Sequence, residues 1–443
     1  MIQKINTVNP KNPRHDLKPK TENFTFPPVQ RMKTKILITI AFVLVSSTLS
    51  AEDARWWKGN LHTHSLWSDG DDYPEMIADW YRSNGYHFLG ISDHNVLAEG
   101  QRWIHREKNA GGQRAFDKYI KRFGDDWVEH KVVNGVPQVR LKTYAEYRQK
   151  MSVPGSFLLI QSEELTDQFQ GRPIHINVTN IKKQIPPQGG AGVAATMQKN
   201  IDAVLAQRKA TGQPMFPHIN HPNFGWAIQP ADMIQLRGEQ FFEVYNGHPA
   251  VRNYGDSKHL STGQIWDVIN AYRIGVHKLP LMFGLGTDDA HNYHDLAVGK
   301  SNTGRGWVMV RAKALTPESI IAAMERGDFY ASSGVAVDDI HLASRTYSFR
   351  IQPEKGVTYT TQFIGTRKNF KSSTDLSKRN ALNPSEAGIG EILGQSQSLE
   401  PSYTFKGDEL YVRTEIRSSR KKANPYATGE HERAWLQPVR PRK

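Results

Sequence analysis

From residue 56 onward, short apolar runs alternate with amphipathic stretches, and no other feature limits the fold as much. The runs at 87–91, 157–161, 174–178, 215–219, 242–245 and 281–285 have the length of strands. Helical faces fall between them. Met76, Ile77, Trp80 and Tyr81 share one face of a stretch opened by an Asp72 cap and Pro74 and stopped by Gly85. Met197, Ile201, Val204 and Leu205 share another, as do Ile265, Trp266 and Ile269. Thr316 and Pro317 open a further helix that Gly327 closes. Strands alternating with helices imply an α/β fold with a largely parallel sheet. Residues 95–155 are charged and loop-rich and read as an insertion. After residue 337 the helical signal stops, and 347–351, 359–364 and 410–416 read as strands of a small β-rich appendage.

At 443 residues and 38% hydrophobic content, the chain can bury a large barrel or two ordinary domains. It has no cysteine, which excludes disulfides, thiolate zinc sites and thiol nucleophiles. Its 17 histidines and many acids leave nitrogen and oxygen as metal ligands. The net charge of +13 sits at the two ends. About 8 basic against 2 acidic residues precede residue 52, and about 15 against 9 follow residue 365, leaving the middle near +1. A nucleic-acid partner would need a basic stripe near the histidines, and none is expected.

An apolar run at 36–45 follows Lys33 and Lys35 and ends in small residues up to Ala51. A positive start, a short apolar centre and a small-residue exit describe a signal peptide over 32–51, too short for a stable membrane span. The polar segment 1–31 reads as an extension ahead of a start at Met32. The expected compartment is periplasmic or secreted. The expected divisions are then 52–337, carrying the chemistry with its 95–155 insertion, and 338–443.

Five polar clusters lie at or just after strand ends. They are 61–70 with His62, His64 and Asp69; 91–95 with Asp93 and His94; 162–165 with Glu163 and Glu164, followed by His175; 218–222 with His218 and His221; and 286–291 with Asp288, Asp289 and His291. Residues two apart on an extended chain point to one face, so His62 and His64 can grip one ion together. Each cluster alone is weak. Together, each behind an apolar strand, they point to a ligand site of the kind α/β sheets build at strand ends. Two or three divalent ions, zinc, manganese or iron, suit such ligands.

These motifs resemble those of the PHP (polymerase and histidinol phosphatase) superfamily of metallohydrolases, and within it the carbaryl-hydrolase-type exported branch. The resemblance covers roughly residues 56–337. It rests on His62-Thr63-His64-Ser65 through Asp69-Gly70, Ser92-Asp93-His94, Glu163-Glu164, His175, His221-Pro222 and Asp289-Ala290-His291. It implies a distorted (β/α)7 barrel. It also implies one ion held by His62, His64, Glu164 and Asp289, a second by Glu164, His175 and His221, and a third by Asp69, His94 and His291. Alignment makes Glu164 the bridging glutamate, with Glu163 the alternative, and His221 a better ligand than His218.

The expected reaction is hydrolysis by a metal-bridging hydroxide, with a small phosphoester as substrate and a carboxylic ester or carbamate as the alternative. Asp93, Asp288 and His218 are candidate proton donors, and Arg305 a candidate phosphate clamp against the plain reading of a loop arginine. Asn246 either hydrogen-bonds a metal-bound water or a carboxylate, or is a turn asparagine before Gly247. The histidines outside the clusters, His248 among them, read as surface or supporting residues. Two other classes compete: an amidohydrolase-type barrel, which the Asp69 motif and the Asp289-x-His291 ending disfavour, and a non-catalytic exported metal- or glycan-binding protein.

Overall fold

The computed structural model describes residues 54–372 and 384–441. The extension and signal segment expected over 1–51 lie outside them. Among the described residues no helix is long and apolar enough to cross a membrane.

The chain opens with β1 (Arg55–Asn60), α1 (Pro74–Ser83) and β2 (Phe88–Ile91). The insertion follows as β3 (Arg102–His105), α2 (Gly112–Phe123), β4 (His130–Val133), β5 (Val136–Leu141) and α3 (Tyr144–Met151). Next come β6 (Leu158–Phe169), β7 (Arg172–Thr179), α4 (Val193–Thr211), β8 (Phe216–Ile219), α5 (Pro230–Ile234), β9 (Phe241–Asn246), α6 (Thr262–Gly275) and β10 (Phe283–Thr287). Then follow β11 (Trp307–Ala312), α7 (Pro317–Glu325) and β12 (Phe329–Ser332). The remaining strands are β13 (Val337–Leu342), β14 (Thr346–Ile351), β15 (Tyr359–Arg367), β16 (Glu391–Ser396), β17 (Ser402–Thr404), β18 (Glu409–Lys421) and β19 (His431–Val439).

One 13-stranded sheet runs β10-β9-β8-β7-β6-β2-β1-β11-β12-β19-β18-β15-β16. The pairs β1/β2, β2/β6, β8/β9 and β9/β10 are parallel. β7 runs antiparallel to both β6 and β8, which departs from the expected parallel run of β/α units. The cause is local. Gln170 and Gly171 both take positive φ (49° and 76°) and turn β6 straight back as a hairpin, with no helix between. The seven strands from β10 to β1 curl until the chain beyond β10 meets the chain beyond β1. There Thr63 bridges Ala290, and Asp289 N–H donates to the His62 carbonyl at 2.9 Å. The two ends touch at that bridge.

Helix faces expected from spacing are the buried ones: Met197, Ile201 and Val204 of α4, beside β7, and Ile265, Trp266 and Ile269 of α6, with Trp266 against Phe242 of β9 at 6.0 Å, belong to one core. Each such side chain contributes roughly 1.5–3 kcal/mol by leaving water. The cap of α1 is Tyr73 rather than Asp72, whose carboxylate instead accepts the Tyr73 N–H. The insertion is more ordered than its charge suggested. Its own sheet runs β3-β5-β4, α3 starts with a Thr143/Glu146 capping box, and Tyr119 of α2 stacks on Tyr73 at 4.1 Å. Beyond β12 the strands do not stand apart: β12 pairs with β19, so β19, β18, β15 and β16 continue the main sheet.

Candidate metal centre

Extended chain just past β1 sets His62 and His64 on one side, both fully buried. The turn after them returns tightly. A Cβ on Gly70 would lie 2.4 Å from the His64 carbonyl oxygen, so only glycine lets the loop deliver Asp69. Past β2, His94 bridges Glu164 in mid-β6. His175 comes from β7, His221 from the end of β8, and Asp289 and His291 from the end of β10. Asp289 (φ 49°) and His221 (φ 24°) occupy the left-handed region that side chains rarely adopt. Each is pinned there: Asp289 N–H by the His62 carbonyl, His221 N–H by Glu243 Oε2 at 2.8 Å.

All nine expected ligands converge. Glu164 Oε2 lies 3.3 Å from His62 Nε2, 3.1 Å from His64 Nε2 and 3.1 Å from His94 Nδ1. Its other oxygen lies 2.9 Å from His175 Nδ1 and 3.6 Å from His221 Nε2. Asp289 Oδ1 is 3.2 Å from both His62 Nε2 and His64 Nε2. Asp69 closes a third group, 3.6 Å from His64 Nδ1, 3.5 Å from His94 Nε2 and 3.4 Å from His291 Nε2. His64 thus touches two groups, where the resemblance implied one. The choice between the glutamates resolves by strand alternation. Glu163 faces the other side, where its carboxylate accepts the Ile185 N–H and burial pushes its pKa up to about 7.

The carboxylates are held charged, as ligation requires. Around His62, His64, His94 and His291 burial is outweighed by the acids, which raise these imidazoles, so a bound ion would have to displace their protons. Burial works against the charge of Glu164, but His62, His94 and His175 outweigh it and hold the carboxyl well below the usual range. Asp289 behaves alike beside His62 and His64. Burial pushes His175 down, toward the neutral, metal-binding form.

The fit of a cation can be tested on atoms with nothing to bond. His62 Nε2, His64 Nδ1, Glu164 Oε2 and His175 Nδ1 are buried and lack a hydrogen-bond partner. Native interiors rarely leave such atoms unpaired. Here they face one another, with ligand atoms of each group within 4.8 Å. Nitrogen and carboxylate oxygen in this number fit divalent zinc, manganese or iron.

The four expected catalytic side chains are placed otherwise. Asp93 accepts from Ser65 N–H, Ser65 Oγ–H and Ser68 Oγ–H (2.6–2.8 Å), so it holds the loop carrying Asp69 rather than donating a proton. Asp288 accepts from the N–H groups of Gly304, Arg305 and Gly306 and from Tyr81 Oη–H. His218 is fully buried against Glu243 and does not line the cavity. Arg305 is no phosphate clamp. Its guanidinium is buried and spent on the carbonyls of Gly247, Ala297, Lys300, Asn424 and Pro425 and on side-chain oxygens of Asn302 and Asn424.

Sequence reasoning passed over Glu243. It is fully buried mid-β9 and accepts from His62 Nδ1–H at 2.6 Å, Thr287 Oγ–H, Asn246 Nδ2–H and the His221 N–H. A lone carboxylate inside an apolar strand was the available signal. Asn246 also reaches Asp289 Oδ2 at 3.1 Å, so it is the carboxylate-binding asparagine and not a mere turn residue. Asn220 holds Glu164 Oε1 at 2.7 Å. His248, expected at the surface or in support, lines the cavity with Phe224, as does the Asp69 carboxylate.

No family model matches the chain, and no curated protein matches it. Solved structures that align with it are distant. A two-domain protein from Bacteroides vulgatus containing a predicted PHP-like metal-dependent phosphoesterase shares 14% identity over 87% of this chain and 95% of that one, at TM-score 0.37. A protein of Bifidobacterium adolescentis assigned as a metal-dependent phosphoesterase shares 12% over 55% and 89%, at 0.28. An amidohydrolase from Chromobacterium violaceum shares 15% over 34% and 36%, at 0.16. At such TM-scores these likenesses assign nothing, and the site's own chemistry has to carry the reading.

Proposed function

We propose that this protein is a metal-dependent hydrolase of the PHP type that cleaves a phosphoester. Glu164 carries the reading. It is fully buried, and its two oxygens face different imidazole sets, as a carboxylate shared between ions must. Two or three divalent ions held by His62, His64, Asp69, His94, Glu164, His175, His221, Asp289 and His291 would supply Lewis acidity and a hydroxide nucleophile at neutral pH.

The chain's own groups do the rest. Glu243 accepts the Nδ1 proton of His62 and so leaves Nε2 free to ligate. Asn220 and Asn246 orient the two buried carboxylates. His248 Nδ1 accepts the Ala250 N–H, which leaves Nε2 to carry the ring's proton toward the cavity. Burial pushes its pKa down to about 4, so at neutral pH His248 is a neutral donor to a substrate oxygen. The catalytic region is taken as 52–337 and the β-rich region as 338–443, with the signal-like segment over 32–51 supporting a periplasmic or secreted site of action. No nucleic-acid partner is proposed.

The test is elemental analysis of purified protein, followed by assays with p-nitrophenyl phosphate, bis-p-nitrophenyl phosphate, p-nitrophenyl acetate and an aryl carbamate. Phosphoester turnover should disappear with chelator and in Glu164→Gln, with far-UV circular dichroism unchanged. Turnover of the acetate or carbamate alone would overturn the substrate class. Metal content without any turnover would make the protein a binder.

A further inference from the structure

The cavity above the ligands, about 520 Å³, has two unlike walls. One is imidazole and carboxylate. The other is Phe224, Pro249 and Ala250. Gly299, Asn292 and Ser301 complete the lining, with Asn292 Oδ1 accepting the Ser301 N–H, its Nδ2 donating to Asp71 and the Ser301 hydroxyl donating to the Asp289 carbonyl. The half-buried Phe224 ring stands 5.1 Å from His221, 6.3 Å from His175 and 6.0 Å from His248, so an aromatic face borders the reacting end of any bound substrate. At the rim, the loop leading to Gly299 carries Leu296 and Val298, 61% and 53% exposed.

Among the described residues, no lysine or arginine lines this cavity. Arg305 is consumed by carbonyls, and the Arg252 guanidinium lies over the Trp226 ring at 5.2 Å. A second phosphate or carboxylate on the substrate would therefore meet no cation beyond those at the centre. A polyol would meet carbon at Phe224, Pro249 and Ala250, with the polar groups of Asn292 and Ser301 already bonded within the protein, and burying hydroxyls unpaired is unfavourable.

We infer that Phe224, Pro249 and Ala250 form a leaving-group subsite for an uncharged, apolar alcohol, so that the substrate is an aryl or alkyl phosphate rather than a sugar phosphate or nucleotide. The inference rests on the phosphoesterase reading. Water adds to phosphorus, the P–O bond to the alcohol breaks, and the alcohol departs with a proton from that water. The aromatic face holds the departing group through π and CH contacts.

Benzyl phosphate and glycerol 1-phosphate, both esters of primary alcohols, separate the subsite from intrinsic reactivity. The metal-loaded protein should favour benzyl phosphate by about tenfold or more in kcat/KM, the scale on which apolar pockets discriminate. In Phe224→Ala that ratio should collapse toward one. Calorimetry with benzylphosphonate and 2-hydroxyethylphosphonate reads the same preference without turnover. Equal kcat/KM values in the wild type, or loss of both activities by one factor in Phe224→Ala, would overturn the subsite. If neither ester is cleaved but benzylphosphonate binds more tightly, the subsite stands and the hydrolase reading falls. If the two phosphonates bind alike, the subsite falls whatever the esters do.

Discussion

Asp288 and Asp289 are neighbours in sequence and both are buried, yet they end in opposite surroundings. Asp288 accepts four hydrogen bonds from the chain itself, three from consecutive backbone N–H groups and one from Tyr81. Around it Arg305 and Lys422 are likewise satisfied by carbonyls and hydroxyls. Asp289 instead faces imidazoles: His64 Nε2 hydrogen-bonds it at 3.2 Å, while His62 Nε2 at 3.2 Å and a nearby Glu164 oxygen have no hydrogen-bond partner. A polar cluster that completes itself is scaffold. One that leaves buried atoms facing each other awaits something from outside.

That contrast breaks most sharply by deleting each carboxylate. Asp288→Ala strands three backbone N–H groups and a phenol in the interior. It should cost about 3–5 kcal/mol, read by urea unfolding. Asp289→Ala removes two side-chain hydrogen bonds, from Asn246 and His64, and otherwise a group facing the unpaired His62 Nε2, so it strands no backbone N–H. In metal-free protein it should cost well under half as much, while abolishing stabilisation by added zinc or manganese. Equal losses from the two substitutions would erase the distinction between scaffold and site.

The second handle is Glu243, which belongs to both worlds. It is fully hydrogen-bonded like Asp288, but one bond goes to a ligand imidazole. Glu243→Gln keeps shape and removes charge. Competition against a chelator should show divalent-ion affinity falling about 10–100-fold, the usual effect of removing a ligand's hydrogen-bonding partner. Unchanged affinity would reduce Glu243 to packing.

The proposed ligands could be picked out because metal chemistry constrains residue type and strand-end placement together, as His62 and His64 illustrate, each brought by the fold to 3.2 Å from Asp289. The supporting residues could not, because a hydrogen-bonding partner leaves only a single polar letter in an apolar run, as Glu243 does in β9. Arg305 misled for the opposite reason. An arginine after a glycine in a loop looks solvated, and only the folded chain shows seven carbonyl and amide oxygens closing on it. Helix faces followed from periodicity, whereas the direction of β7 depended on two turn residues, Gln170 and Gly171, that a strand-by-strand reading passes over. The insertion's order came from one capping box and one tyrosine stack, signals too local to outweigh its charge.

The smallest effect sharpens the scaffold side of the comparison. Lys422 is buried between the Tyr245 hydroxyl (2.6 Å) and the Arg305 carbonyl (2.5 Å), with Glu430 at 3.8 Å. Burial, only partly offset by Glu430 and Asp288, pushes its pKa down to about 8 from an ordinary 10.5. The unfolded chain therefore holds this proton more tightly, and between pH 8 and 10.5 it binds more protons than the folded one. The contribution of Lys422 to stability must rise with pH across that window, and its full cost is present below pH 8. Other groups titrate there too, so the quantity to measure is the unfolding free energy of wild type minus that of Lys422→Met, which keeps the buried stem without the charge. The difference should grow in favour of wild type by roughly 1 kcal/mol per pH unit above about pH 8. A flat or falling difference would mean that the knot around Asp288 holds its lysine charged at no cost, and that its apparent self-sufficiency leans on water instead.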